Sequence, residues 1–110
     1  MSNLTVIEKL TLIKRVAGYV NLGVIPADRF VDKADSYLDD LSRADAPEPM
    51  DLTEAKRAIA AVKSRVMPSQ EICIRGMQEV DRYLAPLRQA RRQALAQASA
   101  ESSAPQRPRS

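Results

Sequence analysis

The chain has 110 residues, of which 45% are hydrophobic and 28% charged, with a formal net charge of +3. That length admits one domain with a modest core. With no His and a single Cys, the composition excludes Ser-His-Asp and Cys-His nucleophilic chemistry, His-liganded metal sites, every CxxC pattern and an intrachain disulfide. The three glycines, Gly18, Gly23 and Gly76, have neither P-loop nor GxGxxG spacing. Glu8 and Lys9 interrupt any leader-like apolar run near the N-terminus, and no apolar stretch approaches the roughly 18 residues of a membrane span. A cytosolic protein without membrane contact, metal or cofactor is the expectation.

Prolines divide the chain into helical segments. The first is expected from about Thr5 to Leu22, with Thr5 and Glu8 at capping-box spacing and Gly23 as its C-terminal cap. The second opens at Pro26, in the first helical position, and runs to about Ser42. A polar loop from Arg43 to Met50 carries Pro47 and Pro49. Asp51 then caps a third helix, with Glu54 three residues on, and that helix ends before Pro68. Ser69 caps a fourth, which has Glu71 in its first turn and continues to about Ala85, with an extension past Pro86 to about Ala98. From there to Ser110 the chain is rich in Ser, Pro, Gln and Arg, which reads as a disordered tail.

Each segment carries an apolar stripe at helical spacing. In the second helix it comprises Ala27, Phe30, Val31, Ala34, Tyr37, Leu38 and Leu41. In the third it comprises Leu52, Ala55, Ile59, Val62 and Val66, and in the fourth Cys73, Met77, Val80, Leu84 and Leu87. The first helix differs, because Leu12, Val16 and Tyr19 form a second row beside Val6, Leu10, Ile13, Ala17 and Val20. A helix apolar over half its circumference either sits centrally in a bundle or lends one row to another chain. Cys73, in phase with Met77 and Val80, reads as a core thiol, and Gly76 as a point of close helix approach.

Charge is unevenly placed. Residues 1–55 hold six Lys and Arg against ten Asp and Glu, a net −4, whereas residues 56–110 hold eleven against four, a net +7. Asp28, Asp32, Asp35 and Asp39 make an acidic stripe along the second helix, where like charges one turn apart cost about 0.2–0.5 kcal/mol per pair. Arg88, Arg91 and Arg92 cluster on the last helix and are one candidate for compensation. A helix-turn-helix centred on Gly23 is rejected, because its recognition helix would offer those aspartates to phosphates. The aspartates also fall short of a Mg²⁺ site, which draws ligands from several elements.

Together these features lead to an all-α, up-and-down bundle of four helices over residues 1–98, with a disordered tail over 99–110. The expected function is non-catalytic: an adaptor, regulator or inhibitor that binds an unidentified protein partner. Its candidate binding residues are Asp28, Asp32, Asp35 and Asp39 on one face and Leu12, Val16 and Tyr19 on another, the latter also able to form a homodimer. The alternative is a nucleic-acid-binding protein using Arg88, Arg91, Arg92 and the tail, or an inhibitor of a nucleic-acid enzyme whose Asp stripe imitates phosphates.

Overall fold

Four helices account for the regular structure of the computed structural model, which describes residues 3–43, 45–46 and 49–103. They are α1 (Asn3–Asn21), α2 (Asp28–Ser42), α3 (Thr53–Lys63) and α4 (Gln70–Ser103). Cross-helix bonds fix their directions. Lys9 near the start of α1 pairs with Asp40 near the end of α2, and Arg65 just past α3 reaches Asp28 at the start of α2. Gln70 at the start of α4 donates to the Asn21 carbonyl at the end of α1. Successive helices therefore run antiparallel, and α4 closes the ring against α1. Helices α1 and α3 also meet across the diagonal, whereas α2 and α4 do not touch. This is the expected up-and-down four-helix bundle.

The core is filled by the stripes. Leu10, Ile13 and Val16 of α1 meet Val31, Ala34 and Leu38 of α2, Ile59 of α3, and Cys73, Val80 and Leu84 of α4. No polar or charged residue is buried among those described. Helices α1 and α3 each touch all three others, so α1 is one of the two helices on the short diagonal of the bundle. Its Val16 is 2% exposed and is covered within the chain.

The helix ends differ in detail from the sequence expectation. Helix α1 starts at Asn3, so Thr5 lies inside it and not at a cap. One hydroxyl cap contributes about 1 kcal/mol, too little to fix a boundary by itself. Pro26 precedes the N-cap residue Ala27 and is not the first helical residue, since α2 begins at Asp28. Val66 falls outside α3 and is exposed. At α3 the N-cap position is Leu52, which supplies no side-chain bond. Asp51, one residue earlier, does cap the first turn: it accepts from the Thr53 amide at 3.4 Å and from the Thr53 hydroxyl at 2.7 Å. The next two free N–H groups of α3 are satisfied from another helix: Glu79 of α4 accepts from the Glu54 and Ala55 amides at 2.8 and 3.0 Å. The Ser69 cap of α4 is as expected, its hydroxyl accepting from the Ile72 amide at 3.2 Å.

The C-terminal ends of α1 and α3 close alike. The Val24 amide donates to Tyr19 and the Gly23 amide to Val20. The Val66 amide likewise donates to Ala61 and the Arg65 amide to Val62. Both are Schellman motifs, with the left-handed residue being Gly23 (φ 81) in one and Arg65 (φ 65) in the other. Both lie at the same end of the bundle.

Helix α4 continues through Pro86 to Ser103, taking in the first five residues of the segment expected as tail; residues 104–110 lie outside those described. Pro86 is tolerated because it sits on the exposed side, between buried Leu84 and half-buried Leu87. Beyond Arg88 every described side chain is exposed, so the last part of α4 is an arm projecting past the bundle. It stretches the molecule to 63 Å against 33 and 23 Å across.

Candidate functional site

Eight of the nine large apolar side chains exposed among the described residues gather at one end of the bundle. Leu22, Val24 and Ile25 stand in the α1–α2 connection, Val66 and Met67 in the α3–α4 connection, and Tyr19, Phe30 and Ile74 on the adjoining helix turns. The ninth, Leu95, is on the arm. The two Schellman motifs account for the connections: each turns the chain sharply and leaves its following residue, Val24 or Val66, pointing into solvent. By sequence only Val24 and Ile25 fall between helices; Leu22, Val66 and Met67 read as helical, and the earlier ends of α1 and α3 leave them in the connections instead.

Three shallow depressions mark this end, two of them sharing Met67. The first, about 250 Å³, lies between Ile25, Val62, Val66 and Met67, with Asp28 and Arg65 at its edge. A second of about 400 Å³ runs from Leu22 and Gly23 to Met67, Pro68 and Gln70, and shares Met67 with the first. Asn21 also lines it, and the Asn21 side-chain oxygen is buried there without a donor. The third, about 190 Å³, is a groove between α1 and α2 lined by Leu12, Arg15, Val16, Tyr19, Pro26 and Phe30. The second apolar row of α1 thus faces α2, where Val16 forms the floor and the half-buried Leu12 and the 47%-exposed Tyr19 form the wall.

The acidic stripe is largely neutralised within the chain. Asp35 holds Lys63 of α3 at 2.9 Å, Asp28 meets Arg65 at 3.7 Å, and Asp39 meets Arg43 at 3.5 Å. The Asp35 hydrogen bond, with its charge and that of Asp32, raises the Lys63 pKa above its ordinary value. The compensating cations therefore come from α3 and from the end of α2, not from Arg88, Arg91 and Arg92. Those three lie on α4, which does not touch α2. Arg88 donates to the Thr11 hydroxyl at 3.0 Å, whereas Arg91 and Arg92 stand exposed on the arm.

Cys73 is fully buried, and burial pushes its thiol pKa up, the reverse of an activated nucleophile. Among the described residues no group of Cys, Asp and Glu is placed to hold a metal ion, and no helix is long and apolar enough to cross a membrane. The fold and site define the chain as an all-α four-helix bundle with an apolar end. Comparison with protein-family models, curated proteins and solved structures finds no match to it.

Proposed function

We propose that the chain is a non-catalytic, cytosolic protein-binding module, an adaptor, regulator or inhibitor, that docks through the apolar end of its bundle. The convergence of eight exposed large apolar side chains on that end carries the reading. A contiguous apolar surface on a small domain marks an interaction site, whereas scattered apolar residues do not. The acidic stripe is the weaker candidate surface, since three of its four carboxylates already hold cations. Each pair is exposed and individually weak, but together they reduce the free negative charge that face can offer a partner.

The test is capture of partners from the native cytosol after nuclease treatment, with wild type beside Leu22→Ser with Met67→Ser. Both positions are exposed, so the fold should survive, as circular dichroism would confirm. Partners retained by wild type and lost by the variant support the apolar end. Partners retained equally by both would remove it.

One observation favours a second reading. From Arg82 to Ala100 there are four Arg and no Asp or Glu, and the described side chains beyond Arg88 are exposed. An exposed basic helix is an electrostatic footprint for nucleic acid. If nucleic acid is the ligand, the nuclease step abolishes capture, and Arg88→Ala with Arg91→Ala and Arg92→Ala flattens the salt dependence by about one unit of slope per lost phosphate contact.

A further inference from the structure

We propose that the α1–α2 groove seats an acidic amphipathic helix of a partner protein. The inference rests on the protein-binding reading and narrows it to one seat and one partner chemistry. Leu12, Val16 and Tyr19 on one side and Pro26 and Phe30 on the other line the groove. Leu12 and Tyr19 are seven residues apart, about 10.5 Å along the axis, which matches two turns of a helix lying alongside. Apolar anchors at i, i+3 or i+4 and i+7 engage such a groove.

The rim supplies the charge preference. Arg15 lines the groove from α1. Arg29 from α2 is held over the Phe30 ring, its guanidinium carbon 4.9 Å from the ring centre. Both are exposed, and neither has a carboxylate within ion-pair distance among the described residues. Asp28, the acid next to Arg29 in the chain, is drawn instead to Arg65 on the α3 side. Two unpaired cations flanking an apolar channel select for carboxylates on either side of the partner's apolar stripe.

The same sign argues against occupants from this chain. The exposed arm of α4 presents Arg91 and Arg92 with no acid beside them. A second copy presenting its own groove would set Arg15 and Arg29 against themselves. A partner of opposite charge is what remains.

The experiment uses the full chain and two fluorescent helical peptides, each about five turns long. One has Leu at i, i+4, i+7 and i+11 with Glu on both flanks; the other has Lys in place of every Glu. Anisotropy titrations should show the Glu peptide binding at least about tenfold more tightly than the Lys peptide, since reversing a few rim charges is worth roughly that factor. Arg15→Glu with Arg29→Glu should invert the preference, and Phe30→Ser should weaken both peptides. Equal binding of the two peptides, a preference unmoved by the Arg double variant, or no binding of either at about 1 mM would overturn the proposal. So would sedimentation showing a dimer that Phe30→Ser dissociates, because the groove would then hold a second copy. If cytosolic partners depend on Leu22 and Met67 while the peptides show no charge preference, the wider reading stands and this one falls.

Discussion

Gly76 of α4 lies directly against Ala55 of α3: a Cβ built on Gly76 would come within 3.0 Å of the Ala55 Cα and 3.2 Å of its amide nitrogen. Those atoms are backbone and cannot rotate aside, so the glycine sets how closely the two helices approach. Gly76→Ala gains about 1 kcal/mol of helix propensity and loses more through forced separation. Set against an overpacking cost of about 1–3 kcal/mol, that gain leaves an expected net destabilisation of up to about 2 kcal/mol, read from the urea midpoint at unchanged slope. A variant as stable as wild type would show that α3 and α4 can move apart freely.

One turn on, Glu79 performs for α3 what no residue of α3 performs. Its carboxylate accepts from the Glu54 and Ala55 amides, and Tyr83, a turn further, accepts from the Asp51 amide at 3.0 Å. Gly76, Glu79 and Tyr83 thus make one face of α4 that docks the start of α3. Glu79→Ala should cost about 0.5–2 kcal/mol, the range for loss of a helix cap. Glu79→Gln, which keeps a neutral acceptor, should cost less. Hydrogen exchange at Glu54 and Ala55 should accelerate in the Ala variant, and unchanged protection there would show that the bonds contribute nothing.

The matched ends at Gly23 and Arg65 give a pair of opposite expectations. A Cβ at Gly23 would meet nothing within 4 Å, so Gly23→Ala tests the backbone alone. It should destabilise by about 1 kcal/mol, because only glycine adopts positive φ freely. Arg65→Gly should stabilise by about 0.5–1 kcal/mol despite losing the contact to Asp28, an exposed pair of little worth. Melting temperatures moving in opposite directions would bear this out. A fall in both would mean that Arg65 holds its turn through its side chain.

The bundle was legible in the sequence because its information is local. The stripe Cys73, Val80, Leu84 and the core row of α1 follow helical spacing, and burial follows the stripe. Gly23 and Ser69 also read correctly, since each cap is decided by its own neighbours. Glu79 was not legible, because its role depends on α3 arriving beside α4, 24 and 25 residues away in the chain. The partners of the Asp stripe depend on tertiary order in the same way: only the ring order of the helices brings Lys63 and Arg65 to it, and not the Arg88 cluster. The apolar end is not legible because helical spacing assigns Phe30 and Val66 to core stripes, whereas α3 stops at Lys63 and leaves Val66 exposed, and Phe30 lies at the open edge of α2. Leu12, Val16 and Tyr19 share one helical row and line one groove, but spacing alone does not distinguish the buried Val16 from the exposed Tyr19.

Stability should be nearly flat from about pH 5 to 8, since no His is present to titrate there. At the alkaline side two groups act in one direction. Burial raises the Cys73 thiol above its ordinary value of 9.0, and Asp35 raises Lys63 above 10.5. Each contributes stability that is complete below its unfolded pKa and is lost as pH rises through the folded one. On the acid side, bonds from the Thr53 hydroxyl and amide lower Asp51 below 3.8, and its contribution disappears as pH falls through that lowered value. Cys73 in the native protein should resist alkylation at pH 8 and react at once in denaturant. Rapid native alkylation would show that the core opens around α4.

The last expectation concerns the arm. Every described side chain from Gln89 to Ser99 is exposed, and none joins the core. Ordering a backbone residue costs about 1–2 kcal/mol, which burial offsets in the bundle and does not offset in the arm. Ala, Gln, Arg and Leu, all good helix formers, are what sustain the helix there. Truncation after Gln89 should therefore leave the melting temperature of the bundle within about 2 °C of wild type, while far-ultraviolet ellipticity falls by the share of helix removed. Pro86→Ala in the full chain should restore an amide that can donate to the Arg82 carbonyl, and should raise stability by as much as about 3 kcal/mol. A truncated chain that melts many degrees lower would mean that the arm packs on the bundle in solution.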